Sequence, residues 1–331
     1  MDIPVVLSHR TAWLFYHAPL RDKILASATD YGISELRIPA REVGRRIQRL
    51  LFACGIPERE LEVLDILVGL NFSRTSANTP VFKSHVFGAL LTSKDVHELV
   101  PGLCIVCESL CFMQTGSWMS ALDRIGFGYE LCGRYELPLD GSAYRERDPL
   151  LKCEDILAYV NAHLGLRGAK SAKSALTRVT LTRVRNNSRS PMETATSLMI
   201  ALPQKLGGLG YRGIELNRRI DVPEHARPLT KSTELEVDIL APKRKVGIEY
   251  DGEDHAEASQ RARDAERLAA LAAMGIRVHV ITKGQFTDQL SLHRALNGIA
   301  RDLGIRLNTN AAFQRAQNDL RLHFIRSWKT A

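Results

Sequence analysis

The stretch that most constrains this chain is Glu236 to His255, EVDILAPKRKVGIEYDGEDH. Leu235 to Leu240 and Val246 to Asp251 alternate as short strands do. Ala241, Pro242, Lys243, Arg244 and Lys245 between them are turn material. Strand side chains alternate, so Val246, Ile248 and Tyr250 share one face, and Gly247, Glu249 and Asp251 share the other. A turn centred on Lys243 and Arg244 sets Asp238 opposite Glu249. Two facing carboxylates repel each other in a bare hairpin. A hard divalent cation with oxygen ligands, Mg²⁺ or Mn²⁺, is the natural partner to hold them together.

The wider context carries a resemblance. Ser190-Pro191-Met192-Glu193, Val237-Asp238, Ile248-Glu249-Tyr250-Asp251-Gly252-Glu253-Asp254-His255 and Asp264-Ala265-Glu266-Arg267 follow one another in that order. Together they resemble the PD-(D/E)xK nuclease superfamily, in the branch related to very-short-patch-repair endonucleases. The resemblance covers residues 186–331. It implies an α/β fold with a restriction-endonuclease-like central mixed sheet flanked by helices. It also implies a Mg²⁺-dependent endodeoxyribonuclease, with Glu193 joining Asp238 and Glu249 as metal ligands. Either Glu193 or Asp251 would complete the shell, directly or through water. His255 would act as general base or stabilise the leaving oxygen. Gln285, just after the third strand, matches a Gln that the superfamily often carries. One departure is that Asp251 stands where the E-x-K motif has Lys; the very-short-patch-repair branch also lacks that Lys.

The 331 residues suggest two domains: an α+β domain over 1–185, DNA- or partner-binding, and the nuclease-like domain over 186–331. The formal net charge of +8 fits an anionic partner such as duplex DNA. No apolar run has the roughly 20 residues of a membrane span. The opening MDIPVVLSHR lacks the pattern of a signal peptide. The six Cys have no secreted-framework look, which points to a reducing cytoplasm. Monomer and homodimer are both left open.

In the first half, Ser8 is placed to cap a helix over Thr11 to His17. Pro39 opens another helix that runs to about Cys54 and stops at Gly55. Arg41, Arg45 and Arg49 form a row on it, with Arg46 alongside; such a row either contacts phosphates or is a solvated face. Leu61 to Leu70 is a buried strand or a short helix, which periodicity cannot decide. Val81 to Phe87 and Leu103 to Cys107 read as strands, and Leu110 to Ile125 as mostly helical. Cys104, Cys107 and Cys111, with Cys132 or Cys153, have the spacing of a zinc or iron–sulfur site. Their apolar flanks favour buried thiols instead. Leu150 to Arg185 reads as helical and basic. This half resembles the region that accompanies such nuclease domains in bacterial proteins, and through it abortive-infection antitoxin regulators.

In the second half, Ser190 caps a helix that starts at Pro191, and Glu193 falls at its third position. Glu193 is therefore a capping-box carboxylate or, if it turns toward the sheet, a ligand. Lys205 to Gly213 reads as a flexible glycine-rich turn. A helix ends at Gly275, and Ile276 to Ile281 is expected to be a central strand. Lys243, Arg244, Arg263 and Arg267 are the candidate phosphate contacts near the hairpin, with an Asp264–Arg267 ion pair as the structural alternative. A rival from another class is a DNA-binding regulator whose nuclease fold no longer cuts.

Overall fold

The computed structural model describes residues 4–30, 36, 38–69, 79–87, 91–165, 172–252, 258–308 and 310–329. It is a mixed α/β protein with mixed sheets flanked by helices. The first half contains β1 (Val5–Leu7), α1 (His9–Tyr16), α2 (Arg21–Leu25), β2 (Thr29–Asp30), α3 (Arg41–Ala53), β3 (Leu64–Val68), β4 (Phe82–Val86), β5 (Val96–Val100) and β6 (Leu103–Val106). Then come α4 (Glu108–Gln114), α5 (Ala121–Cys132), β7 (Tyr135–Glu136), β8 (Arg145–Glu146), α6 (Cys153–Gly165) and α7 (Ala172–Leu181). The six longer-range strands form one sheet in the order β2-β5-β6-β1-β3-β4, and β7 pairs with β8 as a separate ribbon.

Leu64–Val68 settles the Leu61–Leu70 ambiguity. It is a strand, and all five of its residues are buried. Helix α3 follows its pattern, with Ile47 and Leu51 buried and Arg41, Arg45, Arg46 and Arg49 exposed. Gly44 lets this helix lie close on β4, because a Cβ there would stand 2.5 Å from Val81 Cγ1. Ser8 takes the N-cap position of α1, but its hydroxyl makes no capping bond and faces His9 Nδ1 at 3.0 Å. Cys104, Cys107 and Cys111 are buried in the main core, and burial pushes the Cys104 and Cys107 thiols up to about 12.

The second half contains α8 (Pro191–Ala201), β9 (Glu215–Asp221), β10 (Glu234–Ala241), β11 (Val246–Asp251), α9 (Ala258–Ala273), β12 (Arg277–Thr282), α10 (Lys283–Thr287), α11 (Gln289–Asp302) and α12 (Ala311–Lys329). Its sheet has the order β12-β11-β10-β9. Strand β10 is antiparallel to β9 and β11, whereas β12 is parallel to β11 through the α9 crossover. The expected central third strand is thus an edge strand. Its outer positions Arg277 and Val280 are exposed, and the apolar content of the segment reflects packing on one side only.

Helix α8 is buried from Glu193 to Ala201, as befits a helix that is apolar nearly all round. It lies between the second sheet and α5. Tyr129 Oη meets Ser197 Oγ at 2.6 Å, and Tyr135 Oη meets Thr194 Oγ1 at 2.9 Å. One apolar cluster accordingly includes residues of both halves, from Val5 to Phe324. A smaller cluster under α9 holds Leu235, Val237, Leu240, Ala270 and Leu271. Among the described residues, no helix is long and apolar enough to cross a membrane.

Candidate active site

The hairpin has the register its turn residues suggest. Ile239 pairs with Ile248, Leu240 with Gly247 and Ala241 with Val246. The turn is a short 3₁₀ segment, Pro242–Arg244, closed by Lys245 at φ +54°. The ladder ends at Ile239↔Ile248, and Asp238 and Glu249 are the first positions beyond it. Val246 and Ile248 join the large cluster and Tyr250 packs on it. Gly247 faces the other way, where a Cβ would meet Val237 at 3.1 Å and Val278 at 3.3 Å.

Regular alternation breaks at Asp238. The β9–β10 register runs through Val237↔Arg218 and resumes at Ile239↔Leu216, passing over Asp238 and Asn217. Asn217 has φ +48°, a conformation that Asn tolerates better than most side chains. Leu235 and Val237 accordingly belong to the smaller cluster, whereas Ile239 and Ala241 belong to the larger one. At this irregular point the half-buried Asp238 turns its carboxylate to its neighbour strand, and the Tyr250 N–H donates to Asp238 Oδ2 at 3.1 Å.

Glu193 enters from α8. Ser190 Oγ accepts the Glu193 N–H at 3.1 Å, which fixes the start of the helix. The Glu193 carboxylate does not close a capping box on Ser190. Oε2 accepts from the Arg189 N–H and from Asn217 Nδ2, each at 2.8 Å, so the side chain is turned toward the sheet. Burial, with Asp238 adding repulsion, raises Glu193 to about 7. Burial likewise raises Asp238 to about 6, with Glu249 as a further cause. The three carboxylates therefore lie within electrostatic reach in the sequence Glu193, Asp238, Glu249. Oε1 of Glu193 and Oδ1 of Asp238 make no hydrogen bond among the described residues.

Glu249 is engaged otherwise. Arg267 on α9 donates to both of its oxygens at 2.5 Å, and also to the Glu236 carbonyl at 3.2 Å. Asp264 acts on Arg267 only as a secondary charge. Arg267 is thus a partner of the carboxylate group rather than an outward-facing phosphate contact. Among the described residues, no group of three or more His, Cys, Asp and Glu stands ready to hold a metal ion. The Arg267 clamp engages both oxygens of Glu249, whereas Glu193 and Asp238 each keep one oxygen without a hydrogen bond among the described residues.

The other candidates are dispersed. Asp251 is exposed at the end of β11, paired in register with Thr282. Gln285 closes the capping box of α10, its Oε1 accepting the Thr282 N–H at 3.1 Å. That is a local capping role. Lys243 and Arg244 are exposed at the turn, the far end of the hairpin from Asp238, and Arg263 is exposed on α9. Arg41, Arg45 and Arg49 stay on the outer face of α3 and make no contact with the carboxylates among the described residues. His255 lies outside the described residues.

Three residues near the carboxylates escaped the sequence reading. Asn217 orients Glu193, and its buried Oδ1 has no hydrogen-bond partner among the described residues. Arg189 pairs with Glu236, its Nη2 donating to Oε2 at 2.9 Å. Glu236 also accepts from Arg219 at 3.4 Å. The only available signal was an Asn in an otherwise strand-like stretch just before the basic pair Arg218-Arg219. Compared with protein-family models, with curated proteins and with solved structures, the chain matches none of them.

Proposed function

We propose that the chain is a metal-dependent endonuclease that hydrolyses phosphodiester bonds of DNA, its second half being restriction-endonuclease-like. The observation that carries this reading is the pair Glu193 and Asp238. Two carboxylates from different elements, α8 and β10 of the second sheet, face each other closely enough to interact, and burial keeps them poised near neutral pH. Burial disfavours their ionisation more than the nearby Arg189 and Arg267 favour it. A hard divalent cation would relieve that cost, and each offers one oxygen with no hydrogen bond among the described residues. The donor set therefore fits Mg²⁺ or Mn²⁺.

When bound, such a cation supplies Lewis-acid polarisation of a phosphate oxygen and acidifies water for in-line attack. The chain's own residues do the rest. The Arg189 N–H and Asn217 hold the Glu193 carboxylate toward the sheet, and the Tyr250 N–H fixes Asp238. Glu249, held here by Arg267, would be the third oxygen donor for such a cation once Arg267 let it go. The Arg267 guanidinium would then be able to hold the scissile phosphate, since guanidinium and phosphate match in bidentate geometry. His255 is the candidate general base. Exposed arginines, among them Arg263 and the α3 row, supply phosphate contacts of the kind that position DNA without reading it.

A second reading has its own observation. The bidentate Arg267–Glu249 pair is what a silent site would show, with a structural ion pair replacing a metal. On that reading the protein binds DNA as a regulator and does not cut. Plasmid nicking in Mn²⁺, set beside a gel shift in EDTA, separates the two: nicking supports the nuclease, and a shift without nicking supports the regulator.

A further inference from the structure

The end of α5 and the start of α6 bring two thiols together. Cys132 closes α5 and is fully buried, whereas Cys153 opens α6 and is half-buried. Their sulfurs stand 3.8 Å apart and share a hydrogen bond. No other two thiols are hydrogen-bonded to each other among the described residues. The backbone beside them is pinned, for the Leu150 and Leu151 N–H groups donate to the Leu131 carbonyl at 3.0 and 3.1 Å. The base of the loop between the two cysteines, which carries the β7–β8 ribbon, is thus already closed.

The same two residues hold the segment that leads into α8. The Cys153 N–H donates to Asn186 Oδ1 at 2.9 Å, and Asn186 Nδ2 donates to Glu154 Oε2 at 3.0 Å. The Asn187 N–H donates to the Cys132 carbonyl at 2.9 Å. The Asn187 carbonyl in turn accepts from Asn217 Nδ2, the group that orients Glu193. A relay of hydrogen bonds through Asn187 and Asn217 therefore joins the backbone of Cys132 to the Glu193 carboxylate.

Two thiols in contact, one of them reachable from solvent, are the arrangement in which an oxidised cysteine is resolved by its neighbour. A disulfide needs its sulfurs at about 2.05 Å, so the pair must close by about 1.8 Å, shared between two side chains. We propose that Cys132 and Cys153 are a covalent modification site, at which a hydroperoxide forms a reversible disulfide that staples α5 to α6 beside the segment carrying Glu193. The Cys153 sulfur takes one peroxide oxygen as the O–O bond breaks, which gives a sulfenic acid and, from hydrogen peroxide, one water. The Cys132 sulfur then attacks the Cys153 sulfur. The S–O bond breaks, and hydroxide leaves with the Cys132 proton as a second water. The two thiols lose two electrons and two protons, and the peroxide gains them. A small-molecule thiol reverses the bond by exchange, so in a reducing compartment it is transient. The chemistry is independent of what the carboxylates do.

The test treats the reduced full chain in EDTA with equimolar hydrogen peroxide, blocks the remaining thiols by alkylation and maps the peptides by mass spectrometry. The folded parent should lose two of its six thiols, with the Cys132 and Cys153 peptides linked, and dithiothreitol should restore both. Cys132→Ser should leave Cys153 as a sulfenic acid that dimedone traps, and Cys153→Ser should keep Cys132 reduced. Amide exchange at Asn187 should slow in the oxidised parent and in neither variant. Cys132 is buried, so circular dichroism checks its variant; if that variant does not fold, the half-buried Cys153→Ser decides the matter. Absence of the link in the folded parent, a link between other cysteines, or the same link in no greater yield than from urea-unfolded chain would overturn the proposal. Unchanged exchange at Asn187 would overturn its reach to the Glu193 segment.

Discussion

Glu193→Gln should stabilise the metal-free protein at pH 8 and leave its stability nearly unchanged at pH 4.5. The Glu193 carboxyl rises from an ordinary 4.5 to about 7 on folding, chiefly through burial. Below 4.5 it is protonated in the folded and unfolded chains alike. Between 4.5 and about 7 the unfolded chain ionises while the folded chain keeps its proton. The folded state then binds more protons, so stability falls as pH rises through this window. At roughly 1.36 kcal/mol per pH unit the full loss is about 3 kcal/mol. Gln removes the ionisation and keeps an oxygen for the Arg189 N–H and Asn217, so the gain at pH 8 should be about 1–3 kcal/mol. Asp238 adds its own decline between 3.8 and about 6, and the two carboxyls titrate as a coupled pair. Urea unfolding of parent and variant in EDTA at the two pH values measures the difference. A difference that is the same at both, or that favours the parent more as pH rises, would refute the argument that Glu193 is held in a cost-bearing buried position.

The metal and the clamp give two further expectations. Mg²⁺ at a hundredfold excess over its dissociation constant should raise parent stability by roughly 2.7 kcal/mol, and Asp238→Asn should lose most of that gain; equal Mg²⁺ stabilisation in the two would exclude Asp238 as a ligand. Arg267→Met leaves the 11% exposed Glu249 side chain without its cation. The cost in EDTA should be about 2 kcal/mol, below the roughly 3–5 kcal/mol of a fully buried pair, because Arg267 is itself 28% exposed. The same variant should gain more from Mg²⁺ than the parent does, since Glu249 is then available; a smaller gain in thermal-shift titration would mean that Arg267 does not compete with the metal.

The hairpin was legible because its information is local. Pro242 and Lys243 to Lys245 fix the turn, and the alternation of Val246, Ile248 and Tyr250 fixes the face, so the register followed from adjacent residues. The break at Asp238 was not legible, because it depends on Asn217, which lies on β9 and adopts a left-handed conformation that no neighbouring residue dictates. The Arg267–Glu249 clamp was not legible for a similar reason. Asp264 stands one helical turn from Arg267 and looks like its partner, but the α9 crossover brings the buried Glu249 closer. The third strand was found with nearly its true limits, Arg277–Thr282. Its edge position was missed because Val278, Val280 and Ile281 read as a buried run, while position in a sheet is set by connectivity. Short strands such as Val96–Val100, whose pattern includes His97 and Glu98, gave too weak a signal against the surrounding loop.

The central claim is that Glu193 and Asp238, with Glu249, form a metal-dependent phosphodiesterase site. A plasmid-cleavage assay across Mg²⁺, Mn²⁺ and EDTA, run on the parent, Asp238→Asn and Glu249→Gln, addresses it most directly. The account predicts that the parent cuts or nicks DNA in Mg²⁺ or Mn²⁺ and not in EDTA, and that both variants are inactive while still folded. Cleavage by both variants at the parent's rate would contradict it.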